Sequence, residues 1–409
     1  VNEVCACRIC GSRNLKQILN LGDQALTGIF PRDPNQKVTS GVLDLLKCDA
    51  TSGCGLVQAG HSYPMGEMYG ENYGYRSGLN RSMVEHLRKK SDELKKWVTP
   101  ASDDVILDIG SNDGTLLSFF DKPKRIGIDP SAEKFRKFYQ AGIELVVDFF
   151  SADAFKKFAG GKKAKLVTSI AMFYDLPEPL KFVQGIRDVL APDGIWHLEQ
   201  SYLPLMIERN AYDTVCHEHL EYYALRQIKW MADKCDLRVL DVAQNDVNGG
   251  SFAITIAHRD SSFKTNDAAV EKMLKGEAAY DTLTPYEAFR KRIDEQKRRL
   301  LDLLAKLRAE GKKVFGYGAS TKGNVVLQYC GITPAIIPYV AEVNPDKFGC
   351  YTPGTKIPII SEADAKAMKP DVLMVLPWHF KENFLQRESD FIRGGGKLLF
   401  PLPQVELVP

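Results

Sequence analysis

Apolar and polar positions change their period along the chain. Through roughly the first 70 residues, short apolar runs are broken by Gly, Pro and Asn with little helical repeat. From 80 to 98 the pattern becomes an amphipathic helix with Met83, Leu87 and Leu94 on one side. Short apolar runs at 105–109, 125–129, 145–147, 166–170 and 195–198 then read as strands, with helical stretches such as 132–140 and 180–190 between them. Such alternation predicts a parallel, doubly wound α/β sheet. After Asn248-Gly249-Gly250, residues 251–257 alternate as a strand. Residues 286–310 form a long charged helix carrying Ile293, Leu300, Leu301, Leu304 and Leu307, its charges a solvated face. Strands at 314–317, 336–340 and 372–376 mark a second α/β pattern. The organisation expected is a small module over 1–72 and two α/β modules over 73–240 and 241–409.

A length of 409 residues allows two or three such domains, each with its own core. The formal charge of +2 is too small to argue for nucleic acid or an anionic membrane, and no apolar run approaches the ~18 residues of a span. The N-terminus has no signal-peptide core, so a cytoplasmic protein is expected, with a monomer as the simplest state. Of nine cysteines, five fall within the first 54 residues, a clustering that points to metal before disulfides.

Cys7-x2-Cys10 sits on a turn with Gly11 and Ser12, and Cys48-x5-Cys54 is flanked by Gly53 and Gly55. Two cysteine pairs on two turns can close a tetrahedral thiolate site for structural Zn2+. Cys5 competes with Cys7, but would make a longer x4 knuckle with Cys10. Four thiolates leave no open coordination position, so such a metal holds the fold and does no chemistry.

Asp108, Gly110, Asn112 and Gly114 lie in the string D-x-G-x-N-D-G, which follows one apolar run and precedes another ending at Asp129. A carboxylate about 20 residues past a glycine turn can hydrogen-bond a ribose hydroxyl. Carboxylates on either side of the turn suit a cationic nucleoside, and S-adenosylmethionine is one. Downstream, His217-Glu218-His219 is flanked by tyrosines including Tyr222, just past the fifth strand. In extended backbone the two histidines share one face and Glu218 takes the other. Histidine is the natural general base near neutral pH. Tyr75, in N-Y-G-Y-R-S-G, lies at the junction before the sheet. Gly316-x-Gly318 after a strand leaves backbone N–H groups open to a phosphate, and Lys322 adds a point charge.

Taken in order, these strings resemble the sugar C-methyltransferases that act on nucleotide-linked keto-deoxysugars, as in tetronitrose, mycarose and noviose biosynthesis. The likeness also draws on G-Y-G-A-S-T-K-G-N at 316–324, on E-x-N-P-x-K-x-G at 342–349 and on Pro353-Gly354. It implies a class I methyltransferase Rossmann-like domain behind a zinc module, with a C-terminal Rossmann-like domain that holds the nucleotide-sugar. It implies that His219 removes the proton beside a C4 ketone and that Glu218 and Tyr75 belong to the site; beside them His217 is expected to orient or stabilise. Tyr222, Asn248, Lys322 and Asn324 are the expected substrate contacts. The cofactors implied are S-adenosylmethionine and structural Zn2+.

Three positions depart from that family's usual pattern. Cys216 stands where many members have tyrosine, and Asp175 or Tyr174 where many have histidine. Asn248 replaces the usual histidine of His-Gly-Gly-Ser. Two alternatives stay open on sequence: methylation of oxygen or nitrogen on a similar sugar or related small molecule, and a non-catalytic nucleotide-binding zinc protein.

Overall fold

A computed structural model describes residues 1–68 and 76–409. Tyr75 lies outside the described residues. The N-terminal segment, expected only as irregular runs, folds as an antiparallel sheet of Leu15–Ala25, Ser40–Cys48 and Val57–Ala59. Its alternation is masked in the sequence because Leu15–Ala25 slips register on its partner between Gln17 and Leu19 and again between Asn20 and Asp23. Bulges of this kind break the period of two. A fourth strand, Glu221–Tyr222, comes from far downstream and pairs with Val57–Ala59.

Helix Arg81–Trp97 is capped by Asn80, whose side chain accepts from the Ser82 amide, and it buries Met83, Leu87 and Leu94 as its spacing predicts. A seven-stranded sheet follows, in the order Ile143–Val146, Lys124–Ile128, Val105–Ile109, Ala164–Ile170, Leu190–Ser201, Ser251–His258, Leu237–Asn245. The first five are parallel, and Ser251–His258 runs antiparallel to both neighbours. In chain order this is 3-2-1-4-5-7-6, the class I methyltransferase arrangement. The sheet runs past residue 240, since its last two strands are Leu237–Asn245 and Ser251–His258.

The third sheet orders its parallel strands 3-2-1-4-5, from Val314–Tyr317, Val340–Glu342, Ile359–Ser361, Val372–Val375 and Lys397–Phe400, with Glu406–Val408 antiparallel at the edge. Helix Thr284–Ala309 buries Ile293, Leu300, Leu304 and Leu307, while Leu301 is only partly buried.

Two expected elements take other forms. Residues 132–140 give a short 3-10 segment, Ala132–Phe138, because the would-be cap Ser131 donates its hydroxyl to Asp129 instead. The strand expected at 336–340 begins only at Val340, since Pro338 lacks the N–H a ladder needs. Among the described residues no helix is long and apolar enough to cross a membrane.

Candidate functional site

The four knuckle cysteines meet. The Sγ atoms of Cys7, Cys10, Cys48 and Cys54 all lie within 4.8 Å of one another, with Cys7–Cys54 at 3.4 Å and Cys10–Cys48 at 3.7 Å. Tetrahedral Zn–S bonds of about 2.3 Å put sulfurs about 3.8 Å apart, so the set fits a structural Zn2+ site. Gly53 makes room: a Cβ there would meet Cys48 Sγ at 2.5 Å. The site is welded to the middle module, because Gln227 Nε2 donates to the Cys54 carbonyl at 3.0 Å and Arg8 pairs with buried Glu221 at 3.4 Å.

One cavity of about 1300 Å3 opens along the carboxyl ends of both parallel sheets. It exceeds the roughly 300–1,000 Å3 usual for one small ligand. Its middle-module wall includes Asp108, Gly110, Asn112 and Asp129. Gly110 has φ +72, and a Cβ would press on Met172 at 2.9 Å. The Asp129 carboxylate accepts from the Asn112 amide at 2.8 Å and from the Ser131 amide and hydroxyl at 2.7 Å. Asp108 accepts from Thr168 Oγ1 at 2.6 Å, and burial, with the Asp129 charge added, pushes its carboxyl up to about 7. Such an acid-lined wall suits a cationic nucleoside. Gly114 is not in this wall; at φ +75 it lets the loop pass under the Tyr139 ring, which a Cβ would meet at 2.9 Å.

The His-Glu-His string is not extended. The His219 amide closes a turn onto the Cys216 carbonyl at 3.2 Å, so Glu218 and His219 line the cavity and His217 does not. His219 Nδ1 lies 2.7 Å from the Thr214 carbonyl. A carbonyl only accepts, so Nδ1 carries the hydrogen and Nε2 keeps its lone pair. Burial, with the Lys322 charge added, pushes His219 down to about 3, and the Tyr174 ring tilts against it at 4.3 Å. Glu218 accepts from Thr27 Oγ1 at 3.3 Å, and burial raises its carboxyl above the usual range. Cys216 and Asp175, two of the departures noted above, both line the cavity beside these residues.

His217 turns the other way, edge-on to Tyr63 at 4.5 Å. Burial lowers it to about 4, below its ordinary value, so between pH 6.5 and 4 the unfolded chain binds a proton that the native state refuses. Native stability should therefore fall as pH drops through that window, by about 3 kcal/mol for this group. His217→Phe should remove that increment while leaving turnover intact, as acid titration of unfolding and an activity assay at pH 7.5 will read. A loss of turnover without a loss of fold would return His217 to the chemistry.

The opposite wall belongs to the C-terminal module. Lys322 lines it, and its Nζ donates at 2.9 Å to the carbonyl of Asn248, which lines the cavity from the loop joining the last two strands of the seven-stranded sheet. Asn324 does not reach the cavity; its Nδ2 donates to the Thr27 carbonyl at 2.8 Å. Tyr222 is likewise drawn off, buried in its short strand against Val57. Asn324 and Gln328 together fix residues 25–27 of the N-terminal module, Gln328 by a pair of bonds to Ala25 at 2.7 and 3.1 Å. That strap brings Gly28 and Phe30 to the cavity wall. A Cβ on Gly28 would meet Glu218 Oε1 at 2.5 Å.

Sequence reasoning missed the strap, and it missed Glu199 and Glu342. Glu199 lies two residues before the end of the fifth strand of the seven-stranded sheet, and His86, Lys90 and Asn245 converge on its carboxylate at 2.5, 3.2 and 3.0 Å. A strand's carboxyl end was the available signal. Glu342 ends the second strand of the C-terminal sheet and accepts from the Ala319 amide at 2.8 Å. Asp129 holds the same place in its own sheet and binds Asn112 in the same way. Both acids therefore accept an amide from the glycine loop after the first strand.

A family profile described as a putative zinc binding domain matches residues 7–69, one described as a methyltransferase domain matches 79–242, and one described as a C-methyltransferase C-terminal domain matches 246–403. The C-methyltransferase NovU of Streptomyces niveus is 28% identical over 414 residues, which cover all of this chain and 98% of that protein. Solved structures with partial likeness include an O-methyltransferase family protein from Burkholderia thailandensis, 15% identical, TM-score 0.35, over 45% of this chain and 59% of that one. The N-methyltransferase NodS from Bradyrhizobium japonicum WM9 is 13% identical, TM-score 0.32, over 44% of this chain and 99% of that one.

Proposed function

We propose that this S-adenosylmethionine-dependent methyltransferase, related along its whole length to a C-methyltransferase, methylates a carbon beside the ketone of a nucleotide-linked keto-deoxysugar, C3 of a 4-keto sugar. The observation that carries the reading is His219. It sits in the cavity between the two sheets, with Nδ1 bound to the Thr214 carbonyl and Nε2 left as a base. Methylating carbon requires a base to make the nucleophile, whereas a hydroxyl is already one.

In this reading Asp108, Gly110, Asn112 and Asp129 hold the donor, with Asp129 on the ribose. When bound, S-adenosylmethionine supplies an electrophilic methyl whose bond to sulfur breaks as the carbon nucleophile takes it. His219 Nε2 accepts the proton beside the ketone. Glu218, whose carboxyl burial raises above its usual range, holds the sugar. Tyr75 joins the site on the strength of the family resemblance. Glu342 faces the acceptor's nucleotide from the C-terminal module, which accounts for a cavity larger than one ligand needs.

Asp129→Asn should raise the Kd for S-adenosylmethionine about 10- to 100-fold, since a hydrogen bond to a charged group contributes about 1.5–3 kcal/mol. Calorimetric titration reads this directly. An unchanged Kd would remove Asp129 from the donor site. The function as a whole is tested by S-adenosylhomocysteine release with nucleotide-linked 4-keto-deoxysugars. Failure to turn over any of them, in a protein that binds the donor, would end the reading.

A further inference from the structure

The cavity holds a second histidine that the reading above leaves unused. His379 follows Trp378 in a short turn just past the strand Val372–Val375, and it lines the cavity from the C-terminal module. Its Nδ1 is shut off from solvent and has no hydrogen-bond partner among the described residues. A ligand in the cavity therefore meets His379 through Nε2, the ring nitrogen that is not enclosed in this way.

The ring is held in place. Trp378 lies edge-on at 5.9 Å and Phe380 tilts against it at 4.3 Å. Trp378 is itself pinned, its Nε1 donating to buried Asp213 Oδ2 at 2.7 Å. Asp213 belongs to the turn Tyr212–Thr214, and the next residue, Thr214, is the one that orients His219. One short turn thus sets both histidines. Against Trp378 and His379 lies the loop Asn248–Gly250, with φ values of +54, +92 and +131. This left-handed run delivers the Asn248 carbonyl to Lys322 Nζ, whose other two N–H groups stay available. Burial, with the Lys322 charge added, pushes His379 down to about 3, so its imidazole is neutral near pH 7.

We propose that His379 and Lys322 form the oxyanion site of this enzyme, hydrogen-bonding the ketone oxygen of the acceptor while His219 removes the neighbouring proton. This rests on the proposed removal of the proton beside the ketone by His219, which leaves an enolate, and adds the group that stabilises that enolate. The proton passes to His219 Nε2, the C–H electron pair becomes the C=C bond, and the carbonyl π pair moves onto oxygen. That negative oxygen meets an imidazole N–H and an ammonium fixed beforehand, the arrangement that stabilises developing charge best. A neutral imidazole is able to polarise a carbonyl in this way.

The test uses thymidine diphosphate-4-keto-6-deoxyglucose labelled with carbon-13 at the keto carbon, with S-adenosylhomocysteine in the donor site. In the wild type and in His219→Ala the labelled carbonyl should move downfield on binding. His379→Ala should lose most of that shift, and His379→Gln, which keeps an N–H donor, should recover part of it. Exchange of the proton beside the ketone into deuterated water should slow about 10²- to 10³-fold in His379→Ala. Sugar affinity should change far less. A wild-type carbonyl shift and exchange rate in His379→Ala, or in His379→Gln and His379→Phe if alanine does not fold, would overturn the proposal. A carbonyl shift that depends on His379 without exchange in the wild type would uphold it and sink the base assigned to His219 instead.

Discussion

Replacing His219 with alanine should lower methyl transfer about 10²- to 10⁴-fold, the usual contribution of a positioned general base. Exchange of the acceptor's α-proton into deuterated water should be lost with it. Binding of S-adenosylmethionine should stay near wild type, because His219 lies outside the wall formed by Asp108, Gly110, Asn112 and Asp129. The Thr214 carbonyl fixes which nitrogen is free, so the loss should fall on kcat more than on KM. Burial holds His219 near 3, so it is already deprotonated at neutral pH and titrates only as pH falls far below the usual histidine range. Activity between about pH 5 and 7.5 should therefore show no acid limb from this group. A base of such low intrinsic basicity needs a ketone made more acidic by a donor on its oxygen. If His219→Ala retains turnover within about threefold, well short of the loss expected for a positioned base, the catalytic assignment is wrong.

Stripping the zinc, or changing Cys48 to serine, should produce the largest loss of stability of any single intervention. Structural Zn2+ in small sites contributes about 10–16 kcal/mol of apparent folding free energy. Here the site is not a detachable appendage. Cys7, Cys48 and Cys54 share one core with Phe173, Trp196, Tyr223 and Leu225 of the middle module. The zinc module's sheet also pairs with Glu221–Tyr222, directly after the turn that holds His219, and the Ala59 amide donates to the Leu220 carbonyl at 2.9 Å. Chelation should accordingly drop the melting temperature by more than 10 °C and abolish activity together, although the metal touches no reacting atom. Metal content by mass spectrometry, followed by a thermal melt with and without chelator, measures this. Retained activity in a protein shown to be zinc-free would contradict a structural role for the metal.

What was legible in the sequence was local grammar. Strand, glycine turn and strand, with an acid at the end, can be read from Val105 to Asp129 because every partner lies within one supersecondary unit. The cysteine knuckles were legible because ligand spacing is a property of short turns. The His-Glu-His string misled for a related reason. A period of two was assumed, but the bond from the His219 amide to the Cys216 carbonyl makes a turn and sends His217 to Tyr63. Asn324 and Tyr222 were expected as substrate contacts, yet distant partners claim them: Thr27 for one and Val57 for the other. The strap that closes the site had no signal at all. Ala25 and Gln328 are 303 positions apart, and nothing in either local pattern announces the pair. Glu342 stood in a quoted motif, but its likeness to Asp129 became visible only when its bond to Ala319 was seen.

The central claim is that carbon is methylated. Its most direct test supplies S-adenosylmethionine carrying a carbon-13 methyl together with a nucleotide-linked 4-keto-deoxysugar, and reads the product by carbon NMR. The labelled methyl should be bonded to the ring carbon beside the ketone and coupled to that carbon's neighbours. A labelled methyl on oxygen or nitrogen would contradict it.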